Sequence, residues 1–509
     1  MPHVKSTVID SAEGAIVDVE CKLSNNLPSL VIVGLASKAV DEAKDRIRAA
    51  FASCNIRMPQ KRITINLAPA DVQKDGAALD LAIAVAILAE TKQVKESAVR
   101  NTVIFGELGL DGMIRPVRGI IGRLELAKRH GIQKAIVPKG NTPQAALLED
   151  IKLLTATSLK DLYRFLSGEK TDLSFTPSVK LRTAQQNNLS SPEDTIDIAQ
   201  ITGQQQAKRA LEIAAAGGHN VLLNGPPGTG KSMLAKAFIG ILPDMTHEEV
   251  LEVTHLHSLA TRQYDKLVTQ RPLRAPHHSA SEVSVIGGGQ TPKPGEISLS
   301  HRGVLFFDEF PEFKRSVVEA LRQPLEDKVV SVSRAKASID YPADFIFIAT
   351  SNPCPCGYYG TKKACECSPH AVLRYRQKLS GPITDRIDLY VDVHEVLHEK
   401  LLHNTLDGDS SSIVKRRVEL ARKTQRQRYK HSTTNAGTSN QLIKHHIHLS
   451  PAATDMLNQA AKKLDISARA YMKIVKVART IADIDNSEQT KEQHISEALQ
   501  YRQPAQQLL

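Results

Sequence analysis

The run Gly225-Pro226-Pro227-Gly228-Thr229-Gly230-Lys231-Ser232 fits G-x-x-x-x-G-K-[ST]; it is entered from the apolar Val221-Leu222-Leu223 and followed by the helix-like MLAKAFIGIL. Glycines let backbone N–H groups close on phosphate oxygens at a helix N-terminus, Lys231 can reach the β and γ oxygens, and the Ser232 hydroxyl is placed to ligate Mg²⁺. The chemistry predicted is ATP or GTP binding. A second apolar run, GVLFFDEF, ends in Asp308 and Glu309. Downstream of a P-loop, the first acid holds Mg²⁺ through water and the second polarises the attacking water. A third run, FIFIATSN, ends at Asn352. Its amide suits that water or the γ-phosphate, or it is only a turn residue. Next come Cys354, Cys356, Cys365 and Cys367, a Cys-x-Cys pair repeated after eight residues. Four thiolates can close a tetrahedral Zn²⁺ site and leave no position for substrate water; redox-active or free thiols are the alternative. His277, His278 and the run His445 to His448 are weaker metal candidates, since loop and surface histidines are commoner.

Strands and helices must alternate to bring these residues together, which predicts an α/β parallel sheet with ligands at its strand C-terminal ends. ITGQQQAKRALEIAAAGGHN reads as the helix that opens this region, and residues 196–396 are expected to form the nucleotide domain. Within it KVVSVSRAKASIDYPADF alternates like a hairpin with Arg334 and Lys336 near its tip. Residues 1–170 mix alternating runs with helical spacing and predict an α+β domain. Residues 171–195 are polar, without sustained period, and read as a linker. Residues 397–509 hold a basic helix, IVKRRVELARKTQRQRYK, with Lys415 to Lys430 offered to phosphate or only to solvent, then a helical lid.

The chain has 509 residues with 66 Lys plus Arg against 55 Asp plus Glu, a net charge of +11 that favours polyanionic partners. Without Trp and with 4% aromatic residues, it would hold a nucleic acid by phosphates more than by base stacking, hence without regard to sequence. The N-terminus has no charged region followed by an apolar one, and the longest apolar stretch, Leu81 to Ala89, is too short to span a bilayer. A soluble cytoplasmic protein without membrane partners is expected.

ADVQKDGAALDLAIAVAILAE and GELGLDGMIRPVRGIIGRLELAKRHG resemble the proteolytic domain of Lon-type proteases, which cut peptides with a Ser/Lys dyad. The serine position falls on Ala78 and the lysine position on Ile121, so the resemblance implies a Lon-like fold without peptidase chemistry, left with assembly or partner binding. The order P-loop, DEF, TSN, SGPITDRIDLYVDV resembles AAA+ ATPases, and RPLRAPHHSASEVSVIGGGQTPKPGEISLSHRGVLFFDEF their magnesium-chelatase-like branch. With the Lon-like region, the chain is similar to the ComM/YifB family. That resemblance implies an ATP- and Mg²⁺-dependent homo-hexamer, a helicase that migrates branches in single-stranded and branched DNA during natural transformation, alongside recombination proteins. It also implies that Arg386 is the finger for a neighbour's γ-phosphate, with Arg469, or alternatively Arg479, the lid's second sensor. Arg334 and Lys336 resemble a pore hairpin, and Lys293 lies on a helix-2 insert loop, or on a plain surface excursion. Two rivals stay open, a metal-chelatase motor subunit and a protein-remodelling ring; against the latter, GGGQTPKPGE has no aromatic residue.

Overall fold

The computed structural model describes residues 4–8, 14–35, 37–72, 74, 76–169, 171–177, 196–261, 266–289, 292–334, 337–378, 383–396, 408–430 and 433–502. They fall into two compact units. The first gathers Met1–Asn188 with two later segments, Thr246–Thr269 and Ser331–Asp340. Its strands are β1 (Val4–Val8), β2 (Ala15–Ser24), β3 (Ser29–Val33), β4 (Arg62–Ala68), β5 (Thr102–Ile104), β6 (Lys134–Pro138), β7 (Lys152–Ala156) and β8 (Thr176–Pro177). They form one mixed sheet in the order β8-β7-β6-β5-β1-β2-β4-β3. β2 shows why this sequence makes strands: Val17, Val19 and Cys21 are buried in alternation with the less buried Asp18 and Glu20. Edge strand β8 lies inside the polar stretch whose composition suggests a linker; two residues paired to β7 carry no periodicity to read.

Three helices matter in this unit: α1 (Ala43–Ser53), α2 (Asp80–Glu90) and α3 (Ile120–Arg129). α2 is buried on every face from Asp80 to Ala89, as a helix apolar all round must be. Asp80 enters that core because Arg46 of α1 grips both its oxygens, Nε to Oδ2 at 2.7 Å and Nη2 to Oδ1 at 3.0 Å. Burial still pushes its carboxyl up to about 6. Ala78 and Ile121 are both buried in one apolar cluster with Phe105 and Val117. The helix His247–Ala260 belongs to this unit too, its start fixed by a capping box between Thr246 and Glu249 and by His247 Nε2 lying 2.8 Å from the Leu147 carbonyl.

The second unit is built on β9 (Val221–Asn224), β10 (Leu273–Arg274), β11 (Val304–Phe307), β12 (Ile346–Ser351) and β13 (Leu389–Asp392). All pair in parallel, in the order β10-β11-β12-β9-β13. Strands covered on both faces read as continuous apolar runs, and VLFF of β11 and IFIATS of β12 are buried throughout. Around them lie α4 (Gln205–Gly217), α5 (Lys231–Ile241), α6 (Arg322–Asp327), α7 (Pro369–Lys378), α8 (Ser411–Tyr429), α9 (Pro451–Lys463), α10 (Ala468–Ile484) and α11 (Glu492–Gln500). In the C-terminal helical lid, Ser450 and Ser467 cap α9 and α10 through their side chains, and Ile474, Val477, Ala478 and Ile481 of α10 face the core at helical spacing. No helix among the described residues is long and apolar enough to cross a membrane.

Candidate functional site

At the C-terminal ends of β9, β11 and β12 the chain gathers a phosphate cradle and two carboxylates. Gly228 and Gly230 have φ of +80° and +88°, and nothing occupies the space where a Cβ would stand. That openness is what a loop wrapping phosphate needs. Thr229 closes the loop from within, its Oγ1 donating to the Pro226 carbonyl at 2.9 Å. Lys231, 8% exposed, turns its ammonium back into the loop and donates to the carbonyls of Gly225 (2.6 Å) and Pro226 (2.8 Å) and to Asn352 Oδ1 (3.1 Å). Burial lowers its pKa to about 8, opposed by Asp308 and Glu309.

Ser232 Oγ donates to Asp308 Oδ2 at 2.9 Å, so a hydroxyl and a carboxylate oxygen already stand together; this donor pair fits Mg²⁺, a hard cation that takes few protein ligands. Thr350 of β12 was not anticipated from sequence. Its Oγ1 donates to Asp308 Oδ1 at 2.6 Å and accepts from the Glu309 N–H at 2.8 Å, fixing both acids at once. Glu309 needs that support because its backbone sits in the left-handed region, φ +54°, with the side chain exposed.

Arg386 lies at the other end of the same sheet. It immediately precedes β13, whose Leu389 pairs with Val221 at the start of β9, whereas the phosphate loop follows the end of β9. Four residues of strand put about 13 Å between the two levels. Arg386 is 13% exposed in its side chain and pairs with Glu326 of α6. Arg469 of α10 joins the same group, at 3.7 Å from Glu326 and 3.6 Å from Asp385, but stays 59% exposed. Arg479 stands apart: its side chain is 2% exposed and its guanidinium is held by Asp483, Thr490 and the carbonyl of Glu488. A group so enclosed within the lid is a brace for α10.

Asn220, also unanticipated, ties this end together. Its Oδ1 accepts from Phe347 N at 2.9 Å, its Nδ2 donates to the Arg386 carbonyl at 2.9 Å, and its N–H donates to Asp388 Oδ2 at 3.2 Å. One side chain, just before β9, thus joins β12 to the loop that carries Arg386. Asp388 is held low, against its burial, by His219, whose Nδ1 lies 3.4 Å away. His219 Nε2 then reaches Thr480 of α10 at 2.8 Å, and Lys473 of α10 donates to the Ile387 carbonyl at 2.8 Å, so the loop that carries Arg386 is anchored to α10. A cleft of about 480 Å³ opens between them, lined by Asp385, Tyr390, Arg469 and Lys473.

The four clustered cysteines converge. Cys354 Sγ lies 3.3 Å from Cys356 Sγ and 3.7 Å from Cys365 Sγ, Cys356 and Cys365 are 3.5 Å apart, and all four sulfurs fall within 4.8 Å of one another. A Zn²⁺ with bonds of about 2.3 Å sets sulfurs on tetrahedron edges of about 3.8 Å, so the donor set fits. The loop also touches the phosphate loop: a Cβ on Gly357, where φ is +86°, would stand 2.5 Å from Pro227 Cδ. Neither the His277/His278 pair nor His445 to His448 joins a comparable grouping among the described residues. Lys293 pairs with Gly288 in a short two-stranded turn. The strands Val329–Arg334 and Ala337–Pro342 pair as the expected hairpin; Arg334 ends the first, while Lys336 lies outside the described residues.

A five-stranded parallel sheet in this order, with a P-loop after its first strand and acids after its third, defines an AAA+ nucleotide-binding core. Three family profiles match in succession: "Subunit ChlI of Mg-chelatase" over residues 19–141, "Magnesium chelatase, subunit ChlI" over 197–401 and "Magnesium chelatase, subunit ChlI C-terminal" over 408–502. The chain is 43% identical to competence protein ComM of Haemophilus influenzae over 96% of its length and 95% of that protein's. It is 42% identical to YifB of Escherichia coli over 96% and 94%. Similarity to the magnesium-chelatase 67 kDa subunit of Chlorobaculum tepidum is 31% over 164 residues, 31% of this chain and 23% of that subunit. The chain belongs to the ComM/YifB family of magnesium-chelatase-like AAA+ ATPases.

Proposed function

We propose that the protein is a ring-forming ATPase, a hexamer in which each ATP lies between the P-loop of one subunit and Arg386 of the next, and that the ring moves along DNA. The observation that carries the ring is the placement of Arg386 at the opposite end of the sheet from its own P-loop. Hydrolysis needs positive charge on the γ-phosphoryl oxygens, and this arginine suits a neighbour's. Arg469 shares Glu326 with Arg386 and is assigned to the same neighbouring nucleotide.

Within one site the backbone of Gly225 to Ser232 holds the phosphates, and the Lys231 ammonium exchanges its carbonyl partners for phosphate oxygens. Mg²⁺, held by Ser232 and Asp308, would neutralise charge between the β- and γ-phosphates. Glu309 takes the proton of the attacking water as its oxygen bonds to the γ-phosphorus and the bond to the β–γ bridging oxygen breaks; Asn352 orients that water.

DNA as the track is supported by the competence protein at 43% identity, by the charge of +11 and by the basic residues Arg334 and Lys336 of the hairpin segment, with Lys293 a further candidate contact. The test is ATP turnover with single-stranded, duplex and branched DNA: stimulation is expected, most by branched DNA, and a rate indifferent to all three refutes the DNA motor. The chelatase-subunit reading rests on the profile over residues 197–401 and predicts turnover that ignores DNA. We assign the cysteine cluster a structural Zn²⁺, about one per chain by elemental analysis and lost in Cys354→Ser with Cys356→Ser. With Ala78 and Ile121 filling its core, the N-terminal unit is assigned assembly or partner binding without peptidase activity.

A further inference from the structure

The cysteine loop carries more than sulfur. Between Asn352 and Lys378 the chain holds five cations, Lys362, Lys363, Arg374, Arg376 and Lys378, against one carboxylate, Glu366, a local excess of four. All five are exposed. Lys378 approaches Glu312 at 3.8 Å, but among the described residues Lys362, Lys363, Arg374 and Arg376 have no carboxylate in ion-pair reach.

Loop and helix make one continuous surface. The Arg376 guanidinium of α7 lies 4.9 Å over the ring of Tyr359, and the Lys363 ammonium lies 4.9 Å over Tyr358, both rings in the cysteine loop. These contacts hold the cations in place at little entropic cost when a ligand arrives. Clustering four unneutralised cations costs repulsion, which a polyanion relieves. The rings lie under cations, so the surface suits phosphates rather than stacked bases.

We propose that this outer face of the cysteine loop and α7 binds the phosphate backbone of single-stranded DNA, as a contact separate from the hairpin of Arg334 and Lys336. The proposal rests on the DNA-motor reading. Its inner face supplies the reason for such a contact. Tyr375 of α7 is buried, its phenol pushed up to about 12 by that burial and restrained by hydrogen bonding to the Asn352 backbone and Ser351. Gly357 meets the phosphate loop at Pro227. A strand held on this surface therefore bears on the elements that carry Asn352 and the P-loop.

The test compares wild-type full-length protein with Lys362→Ala/Lys363→Ala/Arg374→Ala/Arg376→Ala, measuring fluorescence anisotropy of labelled oligo-dT across a salt series. Zinc content, basal ATP turnover and oligomeric mass should be unchanged, because none of the four touches the nucleotide or the thiols. Affinity should fall tenfold or more, and the slope of log K against log salt should flatten by about 3, from about 0.7 for each phosphate lost on a single strand. Full affinity and slope in the variant would overturn the surface alone. Wild-type protein that binds no oligo-dT would overturn the surface, whereas the motor reading fails separately, by turnover indifferent to single-stranded, duplex and branched DNA. A variant that falls apart into monomers would show the face to be an interface between copies and also overturns the proposal.

Discussion

The two ends of the five-stranded sheet make opposite provisions. At the P-loop end Lys231, Ser232, Asp308, Glu309 and Asn352 sit on adjacent strand ends, Lys231 already bonded to Asn352 and Ser232 to Asp308, so a single chain assembles the phosphate cradle and the acid pair. At the finger end Arg386 and Arg469 converge on Glu326 with no phosphate loop beside them. On the proposed reading, the first end cradles phosphate without an arginine of its own beside it, and the second offers that arginine to a neighbour. In the proposed ring hydrolysis and assembly are one event, and the expected effects of breaking either end follow from that reading.

The largest effect is expected from Arg386→Ala. Loss of a finger arginine costs on the order of 10³ to 10⁵ in turnover. Nucleotide binding should survive, since the cradle is untouched. Mixing Arg386→Ala with Lys231→Ala subunits sharpens the comparison: some interfaces pair an intact P-loop with an intact finger, and turnover should partly return. Mixtures as dead as their components would place the arginine in service of its own site.

Glu309→Gln breaks the other end. Removing the general base should cost about 10² to 10⁴ in turnover while ATP binding persists, because Gln keeps the shape and the Thr350 contact is to the backbone N–H. Full turnover would remove Glu309 from its assigned role.

Lys231 gives this end a pH signature. Burial lowers its pKa to about 8, so its charged form prevails below that value and is lost above it. Phosphate binds the ammonium, so nucleotide affinity should be level below about pH 8 and fall about tenfold per unit above it, roughly a hundredfold by about pH 10. Titration of a fluorescent ATP analogue across this range checks the sign; affinity rising with pH would contradict it.

The P-loop end was legible because its chemistry is written in contiguous runs, each an apolar strand followed by the polar residues it presents. Thr350 was hidden in plain view, one of several small polar residues on a buried strand, and only the acids opposite give its hydroxyl a task. The helix His247–Ala260 is easy to read as a helix, yet its membership in the N-terminal unit depends on residues a hundred positions away, such as Leu147. At the finger end Arg386 was reached through resemblance, and its anchors were not reached at all. Asn220 looks like a turn residue after Gly217-Gly218-His219, and its partners Phe347, Arg386 and Asp388 lie far along the chain. No periodicity carries such contacts; they exist only once the sheet order places β9 between β12 and β13.

Asn220 therefore offers the smallest and most discriminating change. It touches neither nucleotide nor metal, but Asn220→Ala removes the acceptor for Phe347 N–H and the donor to the Arg386 carbonyl, leaving both backbone groups to find water at a half-buried site. Stability should drop by about 1–3 kcal/mol, the cost of such unpaired groups. If Asn220 only braces the fold, that is the whole effect. If it also positions the finger loop, kcat should fall on the order of tenfold, short of the roughly hundredfold that a full ångström of misplacement costs, while KM for ATP stays within about twofold. The split is the test, because the loss then belongs to the interface that receives Arg386. Arg386→Ala in the Asn220→Ala background should add less than it does alone, since a finger already out of place has less to lose. Full additivity of the two changes, or a rise in KM equal to the fall in kcat, would detach Asn220 from the finger and leave it a structural residue at the entry to β9.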